Sequence, residues 1–173
     1  MSAISVYEQD LDQVAANYVP LSPLSFVQRA ASVYPHRLSV IHNDQRWTWR
    51  ETFARCRRLC SALKARGFGL GDTVAIVATN IPAFYESLFG VPAAGAVLNP
   101  INIRLDADAI AFILDHGEAK AVLVDTEFAP VMREALAKCK VKPLVIDIAD
   151  PAAPCHDRIG TLEYEALLAE GDP

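Results

Sequence analysis

Apolar runs alternate with amphipathic stretches along most of the chain. Four short runs are apolar at nearly every position, namely residues 73–78, 96–98, 121–124 and 144–148. Between them, apolar residues recur at every third or fourth position, which predicts helices. Unbroken apolar strands are typical of a parallel sheet that is covered on both faces. The pattern therefore predicts an α/β fold with a doubly wound, mainly parallel sheet and helices on both faces.

The chain before these runs predicts a helix and a small hairpin. Apolar positions at helical spacing favour a first helix over residues 24–34, which Pro35 ends. Two short runs, 40–42 and 46–48, flank the turn-forming residues 43–45 and predict a β-hairpin.

A second helix begins with a local start signal. Thr48 and Glu51 form a capping box, in which each side chain satisfies the backbone N–H of the other residue. Apolar residues then keep a helical period as far as Gly67, which we expect to end the helix. The basic residues on its other faces are Arg50, Arg55, Arg57, Arg58 and Lys64. We interpret them as a solvated helix face, with a phosphate site as the alternative.

The glycine-rich segment 67–72 resembles a nucleotide-binding loop only in composition. A phosphate-binding loop leaves a strand and enters a helix, so that the helix N–H groups face the phosphate. Here the glycines leave a helix and enter a strand. We therefore predict a helix stop and a tight turn.

The predicted organisation has three parts. Residues 1–20 form an extended leader, and residues 21–150 form an α/β N-terminal subdomain. Residues 151–173 read as a loop, a short helix over 161–168 and a linker into a missing remainder.

Composition and charge exclude several classes of function. The net charge of −5 and the pI near 5.3 argue against a nucleic-acid partner. The N-terminus lacks a signal-peptide pattern, and every apolar tract is shorter than the ~20 residues of a membrane span. The four cysteines, Cys56, Cys60, Cys139 and Cys155, have neither disulfide nor metal-ligand spacing. We expect free thiols, no metal site and a cytoplasmic location.

No catalytic residue emerges from the motifs. The histidines, His36, His42, His116 and His156, are scattered along the chain and predict structural or surface roles rather than a base. Ligands of open α/β sheets bind beyond the carboxyl ends of the strands, which points to residues 79–82, 99–104 and 125–126. At that edge we interpret Asn80, Asp106 and Thr126 as helix caps, with Asp125 as the alternative to Thr126. Arg104 is the only cation there and is a candidate contact for a phosphate or a partner subunit.

Several segments together resemble the opening of the adenylate-forming superfamily, in its acyl-CoA synthetase branch. They are WTWRE (47–51), GLGDTVA (69–75), NIP (80–82), AGAVLNPIN (94–102) and ILDHGEAK (113–120). The resemblance covers residues 20–150 and implies an incomplete N-terminal subdomain of a larger enzyme. Pro92, inside a predicted helix, differs from many relatives and fits a sub-branch or a local kink.

The resemblance implies a parent enzyme that uses ATP, Mg²⁺ and coenzyme A to convert a small carboxylic or fatty acid into its CoA thioester. The family's phosphate-binding loop and catalytic lysine do not occur in these 173 residues, so no catalytic or cofactor-binding residue is carried over. We expect the segment alone to be inactive and to expose apolar surface, and a homo-oligomer is an open expectation. The alternative is a free-standing, flavodoxin-like binding or regulatory module without catalysis.

Overall fold

The computed structural model describes residues 14–16, 18–19, 21–151, 153 and 157–173. Most of the predicted leader lies outside the described residues. The helices are α1 Pro23–Val33, α2 Trp49–Ala65, α3 Pro82–Ala93, α4 Ala107–His116, α5 Ala129–Lys138 and α6 Tyr164–Ala169. The strands are β1 Leu38–His42, β2 Gln45–Thr48, β3 Thr73–Val77, β4 Val97–Pro100, β5 Ala119–Asp125, β6 Leu144–Ile148 and β7 Leu162–Glu163.

A five-stranded sheet forms the centre of the fold. Its strand order is β4-β3-β5-β6-β7, and every pair in it is parallel. The chain runs from β3 outward to β4, returns past β3 to β5, and then continues to β6 and β7. This reversal of direction defines a doubly wound sheet and confirms the predicted fold class.

Both faces of the sheet are covered, as the unbroken apolar strands predict. Val74 and Ile76 of β3 point into one core, with α2, α3 and α6. Ala75 and Val77 of the same strand point into a second core, with α4 and α5. Alternate residues of one strand thus enter opposite cores, so both faces of β3 are buried.

The predicted N-terminal elements are confirmed. Strands β1 and β2 pair antiparallel, and Asn43 turns between them with a positive φ of 52°. The capping box forms, because the Glu51 N–H donates to the Thr48 hydroxyl while the Glu51 carboxylate accepts from the Thr48 N–H at 2.7 Å.

The glycine segment ends α2 as predicted. Gly67, with φ 80°, donates its N–H to the Lys64 carbonyl, and the Phe68 N–H donates to the Leu63 carbonyl. These two bonds are the Schellman motif, which satisfies the last carbonyls of a helix. The glycines form the turn between α2 and β3. They do not precede a helix, so they do not form a phosphate-binding loop.

The prediction of one helix over residues 161–168 is wrong in its first half. Leu162 and Glu163 form strand β7, parallel to β6, and the helix begins at Tyr164. The cause lies in β6, where the buried Asp147 carboxylate accepts from the N–H groups of Ile159 and Gly160 at 3.2 and 2.9 Å. This contact aligns the incoming chain with the sheet, and α6 then packs into the same core as α2 and α3.

Candidate functional site at the carboxyl edge of the sheet

The doubly wound topology places a crevice between β3 and β5. The chain leaves β3 toward α3 on one face of the sheet, and it leaves β5 toward α5 on the other face. The two connections separate at the carboxyl ends of these neighbouring strands. Ligands of open α/β sheets bind at such a point, so the side chains there form the candidate site.

Asp125 lies at the centre of this crevice. It is the last residue of β5, it is 1% exposed, and its carboxylate accepts from the Thr79 hydroxyl at 3.3 Å. Its second oxygen accepts from the Glu127 N–H at 3.1 Å, so Asp125 caps the short 3₁₀ turn Thr126–Phe128. Burial raises the pKa of Asp125, with a contribution from nearby Asp150, although these two hydrogen bonds and one from the Thr79 N–H oppose the shift.

Thr126 contributes a buried hydroxyl without a hydrogen-bond partner. The residue is 1% exposed, and no described residue donates to or accepts from its Oγ1 atom. The prediction that Thr126 caps a helix is therefore wrong, because Asp125 takes that role. An unpaired buried hydroxyl costs free energy, which marks this position as a candidate contact for a group from outside the described residues.

The β1–β2 hairpin closes one end of the crevice. The His42 Nε2 atom lies 2.8 Å from the Asp150 carboxylate, just after β6. Two grooves, of about 420 and 470 Å³, flank the loop between β3 and α3, and Asn80 and Phe84 line both of them. Asn80 itself is exposed and caps nothing, because Ile81 precedes the helix without a side-chain cap. The interpretation of Asn80 as a cap is thus wrong.

The loop after β4 brings in the remaining predicted residues. Asp106 caps α4 as predicted, by accepting from the Ala109 N–H at 2.8 Å. The backbone N–H of Arg104 donates to the Asn102 side chain, whereas the Arg104 guanidinium is exposed and forms no ion pair with any described residue. Its role as a phosphate or subunit contact stays a prediction.

A polar network that the sequence did not reveal lies between α2, α3 and α6. Arg55 donates to the buried Glu86 at 2.5 Å and makes two further bonds to Glu165, at 2.5 and 3.0 Å. The Tyr164 hydroxyl donates to the other Glu86 oxygen at 2.8 Å, and the Arg55 guanidinium lies 4.8 Å from the Trp47 ring centre. Arg55 therefore does not belong to a solvated helix face, and the interpretation of the basic cluster is wrong at this residue.

The network joins one cation, Arg55, to two carboxylates, Glu86 and Glu165. Burial raises the pKa of Glu86, while Arg55 and Tyr164 oppose that shift. Burial also works against the charged form of Arg55, but the hydrogen bonds to Glu165 and Glu86 outweigh it and raise the pKa of the guanidinium. Burial and the Glu86 carboxylate raise the pKa of Tyr164, which therefore stays a hydrogen-bond donor.

The other titratable residues have structural surroundings. His116 stacks on Phe112 with ring centres 5.6 Å apart, and His36 is exposed. Cys56 and Cys139 are buried free thiols, and burial raises the pKa of Cys56 to about 12. Cys155 and His156 lie outside the described residues. Within the described ranges, no cluster of three or more His, Cys, Asp or Glu side chains could hold a metal ion.

The residues of the crevice fit an uncharged polar or cationic group better than they fit a polyphosphate. Asp125 is buried near the carboxylate of Asp150, two acids that would repel a triphosphate at this edge, and Arg104 is exposed on the neighbouring loop. Within the described residues, the short connections after β3 and β5 lack glycine and a lysine. The residues present do not fit the phosphates of ATP, whereas Thr79, Asp125 and Thr126 can exchange hydrogen bonds with amide, hydroxyl or cationic groups.

Fold and crevice together define a doubly wound α/β protein with a polar site at its topological switch point. The model of the AMP-binding enzyme family matches residues 27–166, which is most of the chain. The chain therefore belongs to the AMP-binding enzyme family, and the resemblance drawn from its motifs is confirmed.

The relatives of this chain are longer than the chain itself. It is 48% identical to a peroxisomal acetate/butyrate–CoA ligase of Arabidopsis thaliana and 47% identical to an acetate–CoA ligase of Humulus lupulus, in each case over 95% of this chain. The chain spans about 31% of the length of these two relatives. The crystal structure of a benzoate–CoA ligase from Burkholderia xenovorans matches 87% of this chain and 28% of its own length, with a TM-score of 0.73 and 22% identity. That likeness shows the shared fold.

Throughout the part of the chain that the structure describes, each helix is too short or too polar to cross a bilayer.

Proposed function

We propose that this chain forms part of a carboxylate–CoA ligase. Such an enzyme joins a carboxylate to AMP from ATP, with Mg²⁺, and then passes the acyl group to the thiol of coenzyme A. The observation that carries the proposal is the 48% identity to an acetate/butyrate–CoA ligase along 95% of the chain. The chain spans about a third of that relative, so the activity is a property of the whole enzyme.

The nucleotide contacts are proposed to lie outside these residues. The glycine segment of this chain ends a helix, and the carboxyl edge of the sheet carries the buried acid Asp125, with Asp150 nearby. Transition-state stabilisation for adenylation requires preorganised N–H donors or cations around the transferring phosphate. We find no such arrangement of N–H donors or cations among the described residues. We therefore propose that the segment alone catalyses no adenylation.

The crevice is proposed to face another part of the same enzyme or its bound substrate. The support is the unpaired Thr126 hydroxyl beside the buried Asp125 carboxylate, both at the edge where open sheets bind ligands. Arg104, exposed on the neighbouring loop, is a second candidate contact.

The proposed substrate is a small carboxylic or fatty acid. The two plant relatives are an acetate/butyrate–CoA ligase and an acetate–CoA ligase, so acetate and butyrate are the first acids to test. The benzoate–CoA ligase has the same fold over this segment, so the fold alone does not select the acid. We propose a cytoplasmic location from the free thiols, with the peroxisomal location of the Arabidopsis relative as the alternative.

A chimera tests the proposal directly. Residues 21–173 replace the matched segment of the Humulus lupulus acetate–CoA ligase, which is 47% identical. The chimera and the isolated 173-residue chain are then assayed for acid-dependent exchange of labelled pyrophosphate into ATP, with acetate, butyrate and longer acids. We expect exchange by the chimera and none by the isolated chain.

Two outcomes would contradict the proposal separately. A chimera that folds but catalyses no exchange would refute the ligase assignment. Exchange by the isolated chain would refute its inactivity and place the nucleotide site within these residues. The unmodified plant enzyme serves as the control for assay conditions.

Exposed apolar side chains offer a second test. Phe112 of α4, Val97 of β4 and Ile41 of β1 are 67%, 55% and 63% exposed. If other segments of the ligase cover these positions, the isolated chain should bind a hydrophobic dye or associate as its concentration rises. A monomer without dye affinity at high concentration would favour the free-standing binding module instead.

A further inference from the structure

Exposed apolar side chains are concentrated near the start of the described chain. Thirteen large apolar side chains of the described residues are exposed, and seven of these lie between Tyr18 and Leu38. The seven are Tyr18, Val19, Leu21, Phe26, Val33, Tyr34 and Leu38. Single exposed apolar residues are ordinary on a protein surface, whereas such a cluster marks an interaction surface.

The same stretch is free of acidic residues. The chain contains 21 Asp and Glu residues and has a net charge of −5, yet residues 13–43 contain none of the 21. Arg29 and Arg37 lie in this stretch and Arg50 follows it, each with an exposed side chain. None of the three forms an ion pair with a described residue. A locally positive region on a negative protein favours an anionic partner.

Helix α1 presents apolar and cationic side chains on the same outward face. Phe26, Arg29 and Val33 are spaced by three and four residues, which places them on one side of the helix. Val27, on the opposite side, is 3% exposed and packs against the rest of the protein. The outward face of α1 therefore carries exposed apolar side chains that an ordinary solvated helix face lacks.

The end of α1 and the start of α2 form one corner of the protein. The Arg50 N–H donates to the Pro35 carbonyl at 3.2 Å, so the first turn of α2 lies against the chain that leaves α1. The Arg37 guanidinium lies 4.8 Å from the Tyr34 ring centre at the same corner. We call residues 21–38 together with Arg50 the N-terminal surface.

We propose that the N-terminal surface binds the anionic surface of a lipid bilayer. Its three arginines pair with the phosphates and carboxylates of the headgroups, while Phe26 and Val33 enter the boundary between headgroups and acyl chains. The protein lies on the membrane without crossing it. This inference does not depend on the proposed ligase function.

Other partners match this surface less well. A nucleic acid would pair with the arginines but leave the aliphatic side chains in water, and the negative charge of the whole chain would repel it. A second copy related by two-fold symmetry would place the same arginines opposite one another. An anionic bilayer offers acidic groups and an apolar interior within one plane.

Co-sedimentation of the intact 173-residue chain with vesicles tests the proposal. Vesicles of phosphatidylcholine alone are compared with vesicles that contain about one-third phosphatidylserine, and we expect at least about tenfold tighter binding to the latter. Raising the salt concentration should weaken binding to the anionic vesicles, because salt screens exposed charges. The chimeric ligase, which contains residues 21–173, should bind the same vesicles with similar affinity.

A pair of phenylalanine variants tests the apolar contribution. Phe26 is 63% exposed, and Phe112 of α4, outside the N-terminal surface, is 67% exposed. Phe26→Ser should weaken binding to the anionic vesicles about tenfold, because the ring no longer leaves water. Phe112→Ser is the matched control and should leave the binding unchanged. Circular dichroism of both variants checks that they are folded.

Charge variants test the cationic contribution. Arg29→Ala and Arg50→Ala should each weaken binding to the anionic vesicles about fivefold. Lys140 is also exposed and forms no ion pair with a described residue, but it lies after α5. Lys140→Ala should therefore leave the binding unchanged. The comparison of the two vesicle types uses the unsubstituted chain, so it is valid even if a variant folds poorly.

Several results would overturn the membrane site. Equal binding to the two vesicle types would remove the anionic lipid as the partner, and equal effects of Phe26→Ser and Phe112→Ser would remove the N-terminal surface. Binding by the isolated chain but not by the folded chimera would show that another part of the ligase covers this surface. If polyglutamate or single-stranded RNA bound the chain as tightly as the anionic vesicles do, the surface would belong to an acidic protein or a nucleic acid.

Discussion

Glu86 and Asp125 are equally hidden from solvent, at 1% exposure each, but their surroundings differ. Glu86, between the helices, accepts from an arginine and a tyrosine, and it shares that arginine with Glu165. Asp125, at the carboxyl edge, accepts from the Thr79 hydroxyl and from the backbone N–H groups of Glu127 and Thr79, and the adjacent Thr126 hydroxyl has no described partner. Burial raises the pKa of both carboxyls, yet only Glu86 has a cation beside it.

The difference separates structural burial from functional burial. A carboxylate with complete partners fixes the packing of three helices, and removing any partner should destabilise the fold. A carboxylate without a cationic partner and a hydroxyl without a described partner contribute less to stability and remain able to bind another group. We therefore expect the helical network to serve folding, and the proposal that the carboxyl edge binds another group rests on this difference.

The largest expected effect is at Arg55. Arg55→Met removes the cation and leaves Glu86 buried without its charge partner, which should lower the free energy of unfolding by about 3 kcal/mol. Urea titration measures the change. Arg58→Met, on an exposed position of the same helix, is the control and should change stability by less than about 0.5 kcal/mol. Equal midpoints for the two variants would show that the network is dispensable.

Tyr164 tests the second partner of the same carboxylate. Tyr164→Phe removes the hydroxyl that donates to Glu86 and keeps the ring in the core, so it should cost about 1.5 kcal/mol, as for a hydrogen bond to a charged group. Tyr34→Phe changes a tyrosine that is 49% exposed and serves as the control. If both variants unfold at the same urea concentration, the Tyr164 hydroxyl contributes nothing to the network.

Asp125 should make the free energy of unfolding depend on pH. Its pKa in the folded chain lies above the ordinary value of 3.8, so the folded state binds the proton more tightly than the unfolded state does. This contribution to stability is complete below the ordinary pKa and is lost as the pH rises through the raised pKa. Asp125→Asn removes it, and the Asn side chain can still accept from the Glu127 N–H.

The measurement is the free energy of unfolding of both proteins between about pH 3 and about pH 7. Relative to Asp125→Asn, the unsubstituted chain should lose stability as the pH rises. Thr79→Val removes a hydrogen bond to the carboxylate and should make this loss larger. A difference that stays constant with pH, or one that grows in favour of the unsubstituted chain, would argue against a buried carboxylate without a cationic partner.

The sequence predicted those features that local patterns determine. The apolar runs revealed β3, β5 and β6, and the Thr48 and Glu51 pair located the start of α2, because both signals depend on residues a few positions apart. The order of the segments revealed the family. The candidate edge followed from a topological rule, and Asp125 and Thr126 do lie there.

Features that depend on distant partners were not predictable in the same way. Arg55 meets Glu86 across 31 residues and Glu165 across 110, and neither spacing leaves a periodic signal. Strand β7 contains two residues, so its pattern could not outweigh the helical sequence that follows. Its pairing depends on the buried Asp147, which in the sequence is one polar residue inside an apolar run.

The smallest expected change in stability, and the most specific one, is at Thr126. Thr126→Val replaces a buried, unpaired hydroxyl by a methyl group of similar shape and should stabilise the chain by at most about 1 kcal/mol. Thr52→Val is the matched control, because Thr52 on α2 is also 1% exposed and its hydroxyl is also unpaired, away from the carboxyl edge.

Stability and activity must therefore be measured together for these two variants. In the chimeric ligase, Thr126→Val should lower pyrophosphate exchange, whereas Thr52→Val should leave it unchanged, because only Thr126 lies beside Asp125 at the proposed binding edge. Stability that rises while activity falls is the pattern expected of a residue kept for function. If Thr126→Val destabilised the chain, its hydroxyl would have a structural partner. If both variants kept full exchange, the edge would not serve the ligase reaction.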